Sequence, residues 1–174
     1  NRPISAVLLS ATPATETLER ENLGQIRSRG LMIEGQSQRW HGLDATFGYQ
    51  LAVATVTRFS SSSPAQSDLV GKWIPEVPRN SVTMTGSYAA GHVAIFHLIA
   101  SYTGREFDDS GNQYLLHPYA RIDLSVERSL GHGISLFAGA QNLLNRSIDA
   151  AHTPVLTLAS PRLVQGGIRF NAGR

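Results

Sequence analysis

The chain holds six histidines, and three of them, His41, His92 and His132, recur beside glycines in short polar stretches. Repeated imidazoles invite a metal centre. Zinc needs ligands converging at about 2 Å, whereas successive turns along one rim of a sheet point apart, so these three read as polar turn residues in water. "DDSGNQ" at 108–113 is weakly similar to a calcium loop. It lacks the alternating oxygen ligands and the distal glutamate, and a Gly-Asn turn accounts for it. No metal and no cofactor is expected. Nor is an enzyme: there is no nucleophile elbow, no HExxH and no P-loop. Asn145-Arg146-Ser147 matches a glycosylation triplet, a pattern frequent by chance.

Two groups of side chains remain. Glu34, Arg121, Asp123 and Glu127 share the polar parity of alternating segments. They could line a permeation path, or form the wall of a water-filled bore with cross-strand ion pairs worth roughly 0.2–1 kcal/mol each. His97 falls on the same parity. Trp73, Arg79, Asp108, Tyr114 and His152 lie in long connections and are candidate ligand contacts by position and chemistry, with His117 close by.

What must position these residues is a set of strands. In "YARIDLSVERSLGHGISLFAG" (119–139), Ala120, Ile122, Leu124 and Val126 alternate with Arg121, Asp123, Ser125 and Glu127. The pattern resumes beyond Gly131-His132-Gly133 at Ile134, Leu136 and Ala138. "LDATFGYQLAV" (43–53) and "SVTMTGSY" (81–88) alternate likewise, and "RLVQGGIRF" sets Val164, Ile168 and Phe170 against Gln165 and Arg169. Period-two patterning argues strand, and no helical stripe is evident. "VAIFHLIASY" (93–102) is apolar on both parities.

Opposed residues of a hairpin share a face. A turn centred on His41 pairs Leu31 with Leu51, Ile33 with Tyr49 and Gly35 with Phe47. One centred on Gly91 pairs Met84 with Leu98, Tyr88 with Ala94 and Gly86 with Phe96, which turns Phe96, Leu98, Ala100 and Tyr102 to the side of Met84. A three-residue loop at 131–133 pairs Leu130 with Ile134, Val126 with Ala138 and Leu124 with Ala140. Between these reversals lie long connections at 10–22, 59–79, 107–117 and 146–160, leaving about eight strands.

Bulk composition narrows the classes. The 174 residues fit one domain, and 15 Lys plus Arg against 13 Asp plus Glu leave a net charge of +2 with no basic run, so nucleic acid is not an expected partner. There are no cysteines, which suits a reducing cytosol or a bacterial envelope equally. No stretch reaches the length of a membrane helix. The opening "NRPISAVLLSATPA" lacks the build of a signal peptide, so the expectation is a mature start or a sequence without its front.

Alternation alone does not separate a soluble barrel, oily inside, from a membrane barrel, oily outside. Three features favour the membrane barrel. Short turns and long loops alternate. Trp40 and Tyr88 lie by tight turns while Tyr102 and Tyr119 lie by long loops, as interfacial girdles require. Strands of about ten residues match a tilted span.

Several segments resemble the C-terminal barrel region of TonB-dependent outer-membrane receptors: "GLMIEG" (30–35), "GKWIPEVPRN" (71–80), "GREFDD" (104–109), "AGAQNLLNR" (138–146) and "GGIRF" (166–170), in that order. The resemblance implies an all-β fold, an antiparallel transmembrane segment of about eight up-and-down strands from a larger, 22-stranded barrel. Residues 1–174 are then a single C-terminal portion of that barrel, with the plug domain and its TonB-engaging segment absent. It further implies a bacterial outer-membrane location, contact with outer-membrane lipid and active uptake of a scarce nutrient, a ferric siderophore, cobalamin or similar. Energy would come from the TonB complex through the missing plug. Outer-membrane barrels also end on an aromatic with apolar residues at alternate positions before it, a signal for the barrel-assembly machinery. Val164, Ile168 and Phe170 fit that signal, although Asn171 to Arg174 follow the phenylalanine. Two other readings stay open here: a complete eight-stranded outer-membrane barrel acting as adhesin, anchor or structural protein, and a soluble lipocalin-like barrel enclosing a small apolar ligand.

Overall fold

The computed structural model describes residues 4–12, 15–22, 24–58 and 69–171, the first two stretches as backbone alone. Seven strands form one antiparallel sheet. They are β3 (Gln25–Gln36), β4 (Leu43–Arg58), β5 (Asn80–Ala90), β6 (Ala94–Thr103), β9 (Tyr119–Gly131), β10 (Ile134–Gln141) and β13 (Leu163–Phe170). Each pairs with its neighbour in the chain once the loops are set aside, which is up-and-down topology. The sheet does not close among the described residues, and β3 and β13 are its edges. Two-stranded pairs lie in the connections: β7 (Glu106–Phe107) with β8 (Leu115–Leu116), and β11 (Asp149–Ala151) with β12 (Thr157–Leu158).

β1 (Ile4–Thr12) and β2 (Thr15–Asn22) form a separate antiparallel pair. The connection expected over 10–22 is therefore mostly strand. The β2 sequence, "TETLEREN", has a single apolar residue, so no parity advertises it, and only backbone pairing with β1 defines it.

The face assignments hold across the whole sheet. One row runs Ile33–Tyr49–Val82–Tyr102–Ala120, the next Gly35–Phe47–Met84–Ala100–Ile122, the next Ala45–Gly86–Leu98–Leu124–Ala140–Val164. The opposite face carries Glu34–Gly48–Thr83–Ser101–Arg121 and Gln36–Thr46–Thr85–Ile99–Asp123. Among the described residues, the apolar face between the turns and the loops is left uncovered. Met84 is 51% exposed and Leu98 45% exposed, and Phe47, Leu124 and Leu136 are exposed as well. A soluble barrel would hide these side chains in its interior. Among the described residues the only buried apolar side chains are Val56, Leu116 and Ile148, so the sheet encloses no oily core.

Registers were partly as expected. Leu31–Leu51, Ile33–Tyr49 and Gly35–Phe47 oppose each other. In β5–β6, however, Met84 faces Ala100, Gly86 faces Leu98 and Tyr88 faces Phe96, because the strands run on to Ala90–Ala94 and the turn centres on His92. The displacement is two residues, an even number, so every side chain keeps its face. In β9–β10, Val126–Ala138 and Leu124–Ala140 oppose as expected, but Ile134 meets Gly131 and not Leu130. His132 and Gly133 both take positive φ, 52° and 76°, as a two-residue primed hairpin turn demands. The residue displaced from the ladder becomes a bulge.

Candidate functional site

Three connections leave the sheet at one end: 59–79, 104–118 and 142–162. Of the first, residues 59–68, with Ser60 to Pro64, lie outside the described residues. β4 outruns β5, and beyond Leu51 its partner becomes the returning part of this connection. Ala52 N–H donates to Arg79 O, Ile74 N–H to Ala54 O and Val56 N–H to Lys72 O, each at 3.0 Å. Trp73 bridges to Thr55, which places it on the face of Leu51 and Val53, the apolar one.

Asn112 ties the second connection to the first. It sits at positive φ between β7 and β8. Its side-chain oxygen accepts from Trp73 N–H at 2.7 Å, and its amide donates to Trp73 O at 3.0 Å, so the side chain imitates a strand neighbour. Asp109 Oδ1 accepts from the N–H groups of Gln113 and Tyr114, both at 2.8 Å. The acidic stretch at 108–113 is thus a turn, and among the described residues no group of three or more His, Asp or Glu is arranged to hold a metal.

Asp108 ties the second connection to the third. Its side chain is 9% exposed, and Oδ2 accepts from His152 N–H at 2.9 Å, Thr153 N–H at 2.6 Å and the Thr153 hydroxyl. The Thr153 hydroxyl is the main reason this carboxyl lies below its ordinary range; burial pushes the other way, and the two backbone N–H groups reinforce the depression. Glu106 is raised, first by burial and then by the negative charges of Glu76 and Asp108. Tyr114 and His152 stack with centroids 6.1 Å apart. His117 Nδ1 and His152 Nε2 approach Asp149 Oδ2 at 3.8 and 3.9 Å, too far for hydrogen bonds.

Asn142 anchors the third connection and is 2% exposed. Its side-chain oxygen accepts from Arg146 N–H, its amide donates to Arg146 O and Ser160 O, and its backbone N–H donates to Asp123 Oδ1. Asn145 Oδ1 accepts from Arg162 N–H at 2.9 Å. Both asparagines have positive φ, which is what the "QNLLN" stretch provides. Neither Asn112 nor Asn142 stood out in the sequence as more than part of a turn or motif. An asparagine between a strand and a loop is the signal that could have found them.

The five loop candidates therefore separate. Asp108, Tyr114 and His152 come together at the junction of two loops. Trp73 and Arg79 lie elsewhere, with the Arg79 guanidinium 5.2 Å from the Trp73 ring centroid. They border a cavity of about 740 Å³ whose wall also includes Lys72, Tyr102, Arg105 and Phe107. Glu34, Arg121, Asp123 and Glu127 share the polar face of the sheet. Arg121 and Asp123 are bonded along one strand at 2.8 and 2.9 Å, and Arg169 reaches Glu127 from β13 at 3.0 Å. Val164, Ile168 and Phe170 lie on the apolar face of β13 and are exposed.

An antiparallel sheet with one bare apolar face, tight turns at one end and interlocked loops at the other is a piece of outer-membrane barrel wall. The family model described as "TonB dependent receptor-like, beta-barrel" matches residues 4–143. The chain belongs to this family, whose place is the bacterial outer membrane and whose members are transporters and not enzymes. The search of curated proteins gave no match. Among solved structures, the siderophore receptor PiuA from Acinetobacter baumannii is similar with a TM-score of 0.76 at 19% identity, over 87% of this chain and 22% of the receptor. The ferric yersiniabactin uptake receptor FyuA from Yersinia pestis gives 0.73 at 18% identity, over 88% and 24%. BauA, the ferric preacinetobactin receptor from Acinetobacter baumannii, gives 0.69 at 15% identity, over 95% and 25%. The chain thus spans about a quarter of the length of these receptors, and identities this low speak for the fold alone.

Proposed function

We propose that the chain is the C-terminal part of the barrel of an outer-membrane receptor that takes up a scarce nutrient, a ferric siderophore, cobalamin or a similar compound. In this reading its apolar face meets lipid, and Glu34, Arg121, Asp123 and Glu127 face the aqueous bore. The parent barrel has 22 strands, and a plug domain that engages TonB transmits the energy. The observation that carries the reading is the sheet itself: an unpacked apolar face joined to three long loops that brace one another at one end. Similarity to receptors named for ferric siderophores supports iron complexes as the first substrates to try. The stacked Tyr114 and His152 are the proposed ligand contacts, presented on a loop scaffold that Asp108 fixes. Val164, Ile168 and Phe170 serve as lipid-facing residues of β13 and as the signal to the assembly machinery.

The test is growth of a strain lacking the gene, with and without the full-length gene restored, on a panel of single ferric siderophores under iron limitation and on cobalamin. Restoration on at least one source, abolished by loss of TonB, is expected. Equal growth of deleted and restored strains on every source would overturn the reading.

A further inference from the structure

Three hairpins of the sheet, β3–β4, β5–β6 and β9–β10, are joined by short turns, and turn geometry fixes the register of a hairpin. β13 has no such guide. The loop 142–162 separates it from β10, which is its one neighbour among the described residues. Its apolar residues give no guide either. Val164, Ile168 and Phe170 keep their face after a slip of two residues, because an even displacement preserves parity. What distinguishes the observed register, in which Phe137 opposes Gly167, lies on the polar face.

There Phe137 of β10 stands between Glu127 of β9 and Gly167 of β13. The half-buried ring covers the bare backbone of the glycine. A Cβ at Gly167 would lie 2.8 Å from Phe137 Cζ and 3.0 Å from Cε1, closer than carbon atoms pack. Arg169, two residues further along β13, holds the same ring. Its guanidinium carbon is 5.6 Å from the Phe137 ring centroid, and its Nη1 donates to Glu127 Oε2 at 3.0 Å. That bond spans β10, whose Ser135 directly opposes Arg169 and is buried. A slip of two residues sets Gln165 or Arg169 opposite Phe137, according to its direction. Either one brings a Cβ into the space of the ring, while the glycine that admits the ring moves to Gly139 or Ser135.

We propose that Phe137, Gly167, Arg169 and Glu127 form a register lock, which selects the alignment of β13 that its apolar pattern leaves open. Gly167 is the notch and Phe137 the wedge that fits it. The Arg169–Glu127 pair closes over them. The cation on the ring and the exposed ion pair each contribute modestly, so the selection is chiefly steric: only a residue without Cβ fits beneath the ring. In the parent barrel the other edge of β13 meets a strand outside this sheet, and the alignment of that seam follows from the register fixed here. The consequence for the seam rests on the barrel reading; the lock between β10 and β13 does not.

The experiment uses the full-length receptor in outer membranes, with any cysteine elsewhere replaced and cysteine pairs placed on the apolar face, away from the lock. Ala140 with Val164 reports the observed register. Ala138 with Val164, and Ala138 with Ile168, report slips of two residues in the two directions. Opposed residues have Cα atoms about 4.5–5.5 Å apart, within disulfide reach, whereas residues two positions out of register are about 7–8 Å apart and beyond it. After oxidation, linked peptides are quantified by mass spectrometry. The otherwise unaltered receptor should link through the first pair. F137A, R169Q and E127Q should each raise the ratio of slipped to in-register product about two- to five-fold, and F137Y, which keeps the ring, should leave it unchanged. G167V, which fills the notch, should raise it at least as much as F137A. Retention of the heat-shifted mobility of a folded barrel shows that each variant is intact, and R169Q and E127Q, altered at exposed positions, stand in for any variant that fails to fold. A residue that merely stabilises the barrel would lower the folded yield without moving the ratio. An unchanged ratio in the folded variants would therefore overturn the lock. Failure of Ala140 to link with Val164 in the otherwise unaltered receptor would instead count against the sheet, and with it the barrel reading.

Discussion

Replacing Asp108 by alanine should release the third long loop from the second while leaving the sheet unchanged. One carboxylate oxygen receives three donors, the N–H groups of His152 and Thr153 and the Thr153 hydroxyl. Nothing else among the hydrogen bonds of the described residues takes the place of that acceptor for the two N–H groups. A hydrogen bond to a charged group contributes about 1.5–3 kcal/mol, and a donor left without a partner in a dry site costs about 1–3 kcal/mol. Water reaches part of the exposed loop after release, so the three do not add in full. A net change of about 3 kcal/mol in local opening corresponds to roughly a hundred-fold faster amide exchange. The assay is hydrogen exchange by mass spectrometry on the full-length receptor, comparing peptides over 149–158 with peptides over 95–102. D108A should lose protection in the first region alone, and D108N, which keeps an acceptor without the charge, should lose about ten-fold. Unchanged protection over 149–158 would refute the role given to Asp108, as would an equal loss in β6, which would indicate that the barrel itself had been weakened.

Acid should act on the same junction. Asp108 has a folded-state pKa below its ordinary value, so its contribution is present above the unfolded pKa, about 3.9, and is lost as pH falls through the depressed value. Protection over 149–158, corrected for intrinsic exchange, should hold from pH 7 to pH 5 and fall below about pH 4. Glu106 has the opposite sign, because its pKa is raised: protonation in mild acid relieves its buried charge, so β7 should gain protection before the Asp108 junction weakens. Asn142→Ala removes the side-chain bonds to Arg146 and Ser160 and should cost about 1–3 kcal/mol, read as increased proteolysis within 142–162 of the folded protein. Leu98→Arg, in a central apolar row, should cost about 2–4 kcal/mol in urea-titrated folding into lipid vesicles, whereas His97→Arg on the polar face should cost less than 1 kcal/mol.

Sequence patterning was most informative where one chemical contrast repeated every second residue. Ile122, Leu124 and Leu136 had their faces set by that contrast, and the ambiguous run around Phe96 was resolved by its partner strand. Register was less legible. The β5–β6 turn could be centred at Gly91 or His92 with no change in any residue's face, because an even displacement preserves parity and side-chain pattern is blind to it. β2 escaped notice for want of apolar residues. The loop junctions were invisible for another reason: Asp108 and Thr153 are separated by 45 positions, and Asn112 and Trp73 by 39. Nothing local in either member of such a pair marks the other. Position and polarity bring Asp108 forward as a candidate ligand contact, but nothing local shows that its Oδ2 accepts from the neighbouring loop.

The central claim is that alternate residues of these strands face hydrocarbon. The chain has no cysteine of its own; with any cysteine elsewhere in the full-length receptor replaced, single cysteines are placed one at a time along 95–102 of β6, spin-labelled and reconstituted in vesicles. Collision with oxygen, which concentrates in lipid, is then compared with collision with a water-soluble nickel chelate. The account predicts high oxygen accessibility at positions 96, 98, 100 and 102 and the opposite preference at 97, 99 and 101. Labels at 96, 98 and 100 shielded from both reagents, or an inverted alternation, would contradict it.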